Sequence, residues 1–427
     1  MPAYGVLVFP GGTEIGLELR RALAELKEVR LAGAGSEQDR HGPFAYRDWR
    51  TVLPVGEPGW IDGLNAVVDE LEIDVIFPGH DDVLLALAEH AGEIRAGIVT
   101  SPVETCRITR SKRATYELLA DVIPVPHVFA APQDVGQFPV FAKPDRSQGS
   151  QGAVLVPDAA ALTTALASGS DLVMEYLPGR ELTVDCFSDR ERGVLFARAR
   201  PRERTRAGIS MATRTEPDRV SAAEHARAIA ARLELHGAWF FQLREDRHGE
   251  PRLLEVAPRV AGTSALHRVL GVNFPLLSLY EHLRMPVALA PNDIDVRLDR
   301  ALVNRYAHDL SYRHVYVDLD DTLLVGDSVN ARLVAFVYQS INAGRRVVLI
   351  TRHAQDVDAT LDRFRLSALW DEVIHIEDPA VEKADHIGEP DAILIDDSFR
   401  ERRVARERLG IATFDSSMIE LLWDERL

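Results

Sequence analysis

The sequence predicts an α/β protein with more than one domain. Its 427 residues exceed the size of one ordinary domain. Along most of the chain, short apolar runs that resemble buried strands alternate with amphipathic helical stretches, and this alternation is typical of α/β architecture. The runs VYVDLD, VVLITR and AILIDD repeat the pattern near the end of the sequence. The composition, 46% hydrophobic and 27% charged, is that of a soluble globular protein.

Charge and cysteine content narrow the class of protein further. A net charge of −17 argues against a general nucleic-acid or anionic-membrane binder, although it permits a local basic pocket. Cys106 and Cys186 lie in no metal or redox pattern, which fits a reducing compartment, and equally a secreted protein without disulfides. Neither a signal peptide nor an apolar stretch of about 20 residues is apparent. We therefore expect a cytoplasmic enzyme with no nucleic-acid or membrane partner.

Residues 1–114 have the pattern of a Rossmann-like domain. A buried strand over Tyr4–Phe9 runs into a glycine-rich turn and a helical stretch, GTEIGLELRRALAEL. A second strand and helix follow in DVIFPGHDDVLLALAEHA. The turn, with Gly11, Gly12 and Gly16, resembles a dinucleotide fingerprint without matching it cleanly. Glycines that merely allow tight strand-to-helix packing explain it as well.

The stretch PVFAKPDRSQGSQGAVLV, residues 139–156, carries the clearest chemical signal of the middle region. A strand delivers Lys143, and lysine is a compact point charge suited to phosphate oxygens. The loop that follows contains Gly149, Ser150 and Gly152, which would let backbone N–H groups approach phosphates closely. Taken alone, the stretch is also compatible with a hairpin turn and an exposed lysine.

The order of several motifs favours the phosphate interpretation. LVMEYLPGRELTVDCF and LLEVAPRVAGTSAL follow the lysine strand, and FPGHDD and SPVETCRITRSKRATYELL precede it. In this order, over about residues 4–290, they resemble the carbamoyl-phosphate-synthetase-like branch of the ATP-grasp superfamily. The resemblance implies an enzyme that uses ATP with Mg²⁺, or Mn²⁺ in its place.

The same resemblance implies roles for individual residues. It implies ATP contacts from Lys112 and Lys143 at the phosphates, Glu175 at the adenine, Glu181 at the ribose, and Gly149, Ser150 and Gly152 in the loop. It implies Gln242 and Glu255 as Mg²⁺ ligands, since hard oxygen ligands suit this ion. Arg259 would lie near the transferred phosphate.

One position departs from the family pattern. The family usually has Glu-x-Asn before Pro-Arg, whereas this chain has Ala257 in Glu255-Val-Ala-Pro-Arg259. Alanine cannot ligate a metal, so one Mg²⁺ position lacks a protein oxygen. A water ligand would substitute for it, because magnesium retains waters readily. Weakened metal binding or a non-catalytic ATP site is the alternative.

The superfamily resemblance implies acid activation, in which ATP phosphorylates a carboxylate and an amine displaces the phosphate. Arg202 and Arg206 lie in RPRERTRAGIS, and bidentate arginine suits an acyl-phosphate or a carboxylate. We therefore expect a small carboxylic acid and an amine, such as amino acids, as substrates of an amide-forming ligase.

The last third carries aspartates at the ends of apolar runs. Asp318-Leu-Asp320-Asp-Thr fits Asp-x-Asp-x-Thr, and the carboxyl ends of strands are where ligands bind in open α/β sheets. Thr351 ends a second run, Lys383 follows, and Asp396–Asp397 end a third. Together the four pieces resemble the haloacid dehalogenase (HAD) superfamily over about residues 313–427. Acidic strand-end turns without a metal are the alternative.

This resemblance implies a Mg²⁺-dependent phosphatase without a cap domain. Asp318 would attack phosphorus, and Asp320 would protonate the leaving oxygen and then activate water. Thr351 and Lys383 would hold the phosphoryl oxygens. Implied Mg²⁺ ligands are Asp318, the Asp320 carbonyl and an acid from Asp396–Asp397.

The whole sequence therefore predicts three domains: a Rossmann-like domain over 1–114, an ATP-grasp domain over 115–310 and a HAD-like domain over 311–427. We expect a bifunctional ligase and phosphatase, with a phosphorylated small molecule as the second substrate. The alternative is that one half is a regulatory module that binds ATP or a phosphorylated ligand. Homodimers are common for this architecture.

Overall fold

The computed structural model describes residues 3–147, 149, 151–206 and 208–426. They form two compact units, Met1–Leu302 and Val303–Leu427, and each unit is described by itself. The three-domain division with boundaries at 114 and 310 stays a prediction. In the described part of the chain, no helix has the length and apolar character needed to span a bilayer.

The first unit begins with a five-stranded parallel sheet. Its strands are β1 (Tyr4–Phe9), β2 (Val29–Gly35), β3 (Asp48–Thr51), β4 (Val75–Pro78) and β5 (Gly97–Ile98). Its helices are α1 (Glu14–Leu23), α2 (Gly42–Ala45), α3 (Trp60–Glu70), α4 (Asp81–Glu89) and α5 (Val103–Arg110). The strand order is β3-β2-β1-β4-β5. Successive β1 side chains point to opposite faces, so Val6 and Val8 pack in the cluster with α1, whereas Leu7 and Phe9 pack with α3 and α4.

The glycine turn after β1 is filled by the protein's own groups. The Gly12 amide donates to the Asp39 carboxylate at 2.9 Å. A Cβ at Gly12 would lie 1.8 Å from an Asp39 oxygen, and one at Gly16 would lie 2.3 Å from the Gly11 carbonyl oxygen. These contacts support the packing interpretation of the turn over the dinucleotide interpretation.

Three antiparallel sheets make up most of the remaining first unit. Their strands are β6 (Val140–Lys143), β7 (Val154–Val156), β8 (Leu172–Glu175), β9 (Glu181–Asp189), β10 (Gly193–Pro201), β11 (Arg204–Arg206), β12 (Ile209–Arg214), β13 (Gly237–Glu245), β14 (Pro251–Ala257) and β15 (Arg297–Asp299). The orders are β7-β6-β8, β10-β9-β13-β14 and β11-β12-β15. The helices are α6 (Lys112–Leu119), α7 (Ala159–Ala167), α8 (Ala222–Ala230), α9 (Ala265–Val269) and α10 (Phe274–His282), with a 3₁₀ turn at Pro132–Asp134.

The four-stranded sheet of the first unit is covered on both faces. Val184 of β9 and Phe241 of β13 pack with α8 in one apolar cluster. Phe187 and Ala238, on the opposite face, pack with α10 in another. This double burial fixes the register of β9 and β13, because a slip by one residue would exchange the two faces. The polar ends of these strands are thereby held in place.

The second unit is built on another five-stranded parallel sheet. Its strands are β16 (His314–Val317), β17 (Leu324–Val325), β18 (Ser328–Val329), β19 (Arg346–Thr351), β20 (Glu372–His375), β21 (Ala392–Ile395) and β22 (Ala412–Phe414). Its helices are α11 (Ala331–Asn342), α12 (Val357–Phe364) and α13 (Phe399–Leu409), with 3₁₀ turns at Ser367–Leu369, Lys383–His386 and Met418–Leu421. The sheet order is β20-β19-β16-β21-β22, and β17 and β18 form a separate hairpin.

The centre of this second sheet determines which loops meet. Strand β16 pairs in parallel with both β19 and β21, and Val317 lies opposite Leu349 and Ile395. Parallel strands end at the same edge, so the residues that follow β16, β19 and β21 come together there. The three predicted strand-end motifs of residues 311–427 therefore lie together at one edge of this sheet.

Candidate functional sites

A cleft of ≈ 770 Å³ lies in the first unit. Its walls come from β6 and β8 of the three-stranded sheet and from β9, β13 and β14 of the four-stranded sheet. It brings together seven of the residues that the sequence predicts to contact ATP or Mg²⁺: Lys112, Lys143, Gly149, Glu175, Glu181, Gln242 and Glu255. Ser150 lies outside the described residues.

Lys143 ends β6 and is buried at the cleft wall. Its ammonium nitrogen lies 3.2 Å from the Tyr116 hydroxyl. Burial, together with the nearby Lys112 charge, lowers the pKa of Lys143 to about 7. An amine with a pKa of about 7 takes up a proton readily when a negative group binds beside it.

Lys112, at the start of α6, holds the loop that follows β6. Its nitrogen donates to the carbonyl oxygens of Asp145 at 3.2 Å and Ser147 at 2.9 Å. Burial lowers the pKa of Lys112 as well, although the Glu255 charge opposes this effect. Asp145 also accepts from the Ser111 hydroxyl at 2.7 Å. Lys112 is therefore a loop-positioning residue as well as a cation in the cleft.

The opposite end of the cleft is partly apolar. Phe141, Met174 and Leu254 line it, together with the backbone after Glu175. The Glu175 carboxylate accepts a hydrogen bond from the His127 amide at 2.9 Å, which ties it to the strand edge. Apolar side chains of this kind are what an aromatic ring packs against.

Glu181 is paired with arginines in the same cleft. Its oxygens lie 2.7 Å from Arg202 and 3.6 Å from Arg244. Arg202 also donates to the Gly208 carbonyl at 2.5 Å. Arg206, by contrast, is exposed on β11 and does not line the cleft.

Gln242 and Glu255 are direct cross-strand partners on β13 and β14. Both line the cleft that contains the two lysines. Their side-chain oxygens are hard donors of the kind that Mg²⁺ accepts. Ala257 lies two residues beyond Glu255, where it lines a second cavity of ≈ 410 Å³ with a methyl group and no oxygen.

Two predicted nucleotide contacts lie elsewhere. Arg259 does not line the cleft, because its guanidinium donates two hydrogen bonds to Asp81 at 2.5 and 2.7 Å. It also stacks on Phe240, with 5.1 Å from the guanidinium carbon to the ring centroid. Gly152 does not line the cleft either. Its carbonyl accepts from the Ser170 hydroxyl, and its positive φ of 67° explains why glycine is needed there.

Sequence reasoning missed a buried charged group beside this region. Arg200 on β10 binds Asp185, whose oxygen also lies 3.0 Å from the His267 ring. Although burial opposes the effect, Arg200 and His267 lower the pKa of Asp185 to about 2. One Arg200 nitrogen has no hydrogen-bond partner among the described residues. The run ARARPRERTR in the sequence offered no signal to single out this arginine.

Three carboxylates of the second unit meet at the sheet edge. Asp318, Asp396 and Asp397 each place one oxygen within 4.8 Å of the others. The Lys383 ammonium lies 2.5 Å from Asp318 and 2.7 Å from Asp396. Burial raises the pKa of Asp318 to about 7, against the attraction of Lys383. A site with more buried negative than positive charge fits a divalent cation.

Thr322 links this cluster, a role that the motif alone did not assign. Its hydroxyl lies 3.2 Å from both Asp318 and Asp397 and accepts from the Asp397 amide at 2.8 Å. Asp321 precedes it with a φ of 56°, which turns the chain after the strand. The two strand-end loops are thereby joined through one hydroxyl.

Asp320 and Thr351 are the remaining predicted phosphatase residues, and they differ in exposure and in their contacts. Thr351 is fully buried at the end of β19, and its hydroxyl accepts from the His353 amide at 3.0 Å. The Asp320 carboxylate is half-exposed and lies outside the three-carboxylate cluster. It contacts the His353 ring instead, a partner that sequence reasoning did not identify.

The first unit's architecture matches that of known proteins. Residues 169–301 match the family described as "ATP-grasp in the biosynthetic pathway with Ter operon". No curated protein matches the sequence. Together with similar solved structures, the match identifies an ATP-grasp fold in this chain.

Three of the similar structures show the extent of the likeness. Biotin carboxylase from Campylobacter jejuni is 17% identical, with 66% of this chain and 72% of that chain covered and a TM-score of 0.56. N5-carboxyaminoimidazole synthetase from Staphylococcus aureus, complexed with ADP, is 14% identical over 68% and 79%, with a TM-score of 0.56. L-amino acid ligase from Bacillus licheniformis is 18% identical over 66% and 75%, with a TM-score of 0.51. At these identities the likeness concerns the fold.

Replacing Asp318 by asparagine is expected to stabilise the metal-free protein. The folded pKa of about 7 exceeds the ordinary value of 3.8, so ionisation of Asp318 removes stability as the pH rises from about 4 to about 7. Asp318→Asn stays neutral throughout. Its unfolding free energy should exceed that of the wild type by on the order of 2–4 kcal/mol at about pH 8, and by less at about pH 5.

Denaturant unfolding in the presence of a chelator, followed by hydrogen exchange of β16 and β21, measures this difference. Asp358→Asn on the surface of α12 is the matched control and should change little at either pH. A lower stability of Asp318→Asn at about pH 8 would contradict the expected charge balance.

Proposed function

We propose that the first unit is an ATP-dependent carboxylate–amine ligase that forms an amide through an acyl-phosphate. The observation that carries the proposal is the convergence of Lys112, Lys143, Gln242 and Glu255 in one cleft of an ATP-grasp fold. Two cations and two hard oxygen donors suit a triphosphate and its metal. The Rossmann-like domain over 1–114 and the ATP-grasp domain over 115–310 belong to this proposal.

The cleft residues have distinct parts in the proposed reaction. The apolar slot near Glu175 would take the adenine, and Glu181 the ribose. Lys143 and Lys112 would bind phosphate oxygens, and Gln242 with Glu255 would hold Mg²⁺. The metal would neutralise charge that develops as the terminal phosphoryl group moves to a carboxylate.

The smaller cavity, which Ala257 lines, is where the acid and the amine would bind. It shares Lys112, Ser147 and Glu255 with the cleft, so a small molecule there would lie beside the phosphate end. The space inside it, ≈ 30 Å³, is about that of one water molecule, so an acid or amine such as an amino acid would enter only as the walls move apart. Thr109 and Arg110 supply polar groups on its wall.

ATP turnover is expected to require both an acid and an amine. Purified protein should release ADP from MgATP only when both are supplied, because the acyl-phosphate is consumed by the amine. A panel of amino acids and small acids, assayed for ADP and by mass spectrometry for an amide, tests this. The same panel with Glu255→Gln should fall to background. Silence across a broad panel would count against the ligase.

Nucleotide binding is expected to take up a proton through Lys143. With a pKa of about 7, this amine is largely neutral at about pH 8 and largely charged at about pH 6. Negative phosphates favour the charged form. Calorimetry of MgATP binding in buffers of different ionisation enthalpy should therefore report proton uptake at about pH 8 and little at about pH 6.

The Lys143→Met variant should lose this uptake and bind ATP about tenfold more weakly or worse, since a hydrogen bond to a charged group contributes about 1.5–3 kcal/mol. Lys27→Met, at an exposed position, is the control and should match the wild type. Undiminished uptake in Lys143→Met would refute the assignment of the proton to this amine.

We propose that the second unit is a Mg²⁺-dependent, HAD-like phosphatase that acts on a phosphorylated small molecule of the same pathway. The Asp318–Lys383–Asp396 contacts with Asp397 at one sheet edge support it. The donor set fits a divalent cation, since three carboxylates lie together and the one lysine contacts two of them. Mg²⁺ held there and by the Asp320 carbonyl would screen the charge of the incoming phosphate.

The protein's own residues would divide the chemistry into two steps. An Asp318 oxygen attacks phosphorus, the bond to the leaving oxygen breaks, and the Asp320 proton passes to that oxygen. Water then attacks the aspartyl-phosphate, gives its proton to Asp320, and the Asp318–phosphorus bond breaks. Thr351 and Lys383 bind the phosphoryl oxygens in both steps.

The phosphatase assignment predicts that Asp318→Asn lowers phosphate release from p-nitrophenyl phosphate by about 10²-fold or more in the presence of Mg²⁺, because the variant lacks the nucleophile. ATP binding should remain, since the variant leaves the first unit unchanged. Phosphate release equal to the wild type would disprove the nucleophile assignment.

A second candidate is that the first unit is a non-catalytic module that senses ATP. Two observations favour it: Ala257 offers no metal ligand, and Arg259 is bound to Asp81 away from the cleft. The acid-and-amine assay separates the candidates, because a sensor would bind MgATP without turnover.

A further inference from the structure

The Asp320 carboxylate has a single ring as its close partner among the described side chains. The His353 Nδ1 atom lies 2.9 and 3.0 Å from its two oxygens. Asp320 is 51% exposed, whereas the His353 side chain is only 12% exposed. An exposed carboxylate would ordinarily sample several orientations in water, so this contact selects one of them.

The His353 ring is itself fixed from the other side. Its Nε2 atom lies 2.9 Å from the Thr360 hydroxyl on α12. The backbone on either side is also held, because the His353 amide donates to Thr351 and its carbonyl lies 2.8 Å from the His375 ring nitrogen. The ring orientation is thus determined by three elements of the fold.

These contacts allow the ring proton to lie on Nδ1. The Thr360 hydroxyl can donate to Nε2, and the Nδ1–H then faces Asp320. In this tautomer Nδ1–H donates to the Asp320 carboxyl group both before and after its proton leaves, because a carboxyl oxygen accepts in either state. The arrangement Thr360–His353–Asp320 therefore works as an orienting chain of hydrogen bonds.

We infer that His353 is a positioning residue that orients Asp320 for proton transfer to the leaving oxygen. This inference rests on the proposed phosphatase function. In the first step the proton moves from Asp320 to the leaving oxygen as the phosphorus–oxygen bond breaks. His353 exchanges no proton with substrate; it holds the carboxylate at the position from which the transfer occurs.

If His353 orients Asp320, its loss should affect substrates differently according to their leaving group. A poor leaving group, such as an alkoxide, needs the proton as it departs, whereas p-nitrophenolate departs without it. Loss of Asp320 orientation should therefore slow an alkyl phosphate much more than an aryl phosphate. A general loss of folding or of metal would slow both substrates alike.

The experiment compares full-length His353→Ala with the wild type on glycerol phosphate and p-nitrophenyl phosphate, each with Mg²⁺. We expect kcat for glycerol phosphate to fall by about tenfold or more beyond the fall for p-nitrophenyl phosphate, with KM little changed. His353→Asn, which retains an N–H donor, should recover part of the lost alkyl-phosphate activity. Exposed His308→Ala is the control and should match the wild type.

The outcomes separate the inference from the proposed function. If Asp318→Asn abolishes turnover but His353→Ala slows both substrates equally, the phosphatase stands and the positioning role is overturned. If neither substrate shows turnover that depends on Asp318, the phosphatase itself fails. His353→Asn serves where His353→Ala does not fold, and an equal slowing of both substrates in His353→Asn would also overturn the role.

Discussion

A buried charge is tolerated only where an opposite charge or a hydrogen-bond partner meets it, and this constraint organises both units. In the second unit, Lys383 lies between Asp318 and Asp396, and removing it would leave two buried carboxylates uncompensated. In the first unit, Lys112 is satisfied by loop carbonyls. In each site the charges are nearly but not fully balanced. The lysines of the first unit therefore favour an anionic ligand, and the aspartates of the second unit favour a cation.

The sequence was informative wherever function depends on the end of a strand. Lys143 ends an apolar run and Asp318 follows one, and the local pattern of each run indicates a strand. The sequence could not show which distant partners these groups meet. Arg259 is 178 positions from Asp81, and nothing near either residue indicates that they form an ion pair. Because long-range charge pairing depends on the packed fold, the sequence could not predict that Arg259 binds Asp81, and its place at the transferred phosphate stays a prediction.

His353 and Thr322 illustrate the same limit on a smaller scale. Each lies within or beside a motif that was assigned, yet neither side chain had a predicted role. Their contacts arise because parallel pairing brings the ends of β16, β19 and β21 to one edge. A motif specifies residue types in order along the chain, whereas the supporting contacts join residues that are 33 and 75 positions apart. Such supporting residues become visible only once the loops are adjacent.

The glycine turn after β1 differs from the two candidate sites because its backbone donor is already bound by the Asp39 carboxylate. Where a nucleotide phosphate would have to accept a hydrogen bond from the Gly12 amide, the Asp39 side chain already does so. The turn is therefore occupied by the protein itself and needs no cofactor to hold its shape. A phosphate could bind there only by displacing Asp39, so the turn serves as a fixed joint between β1 and α1.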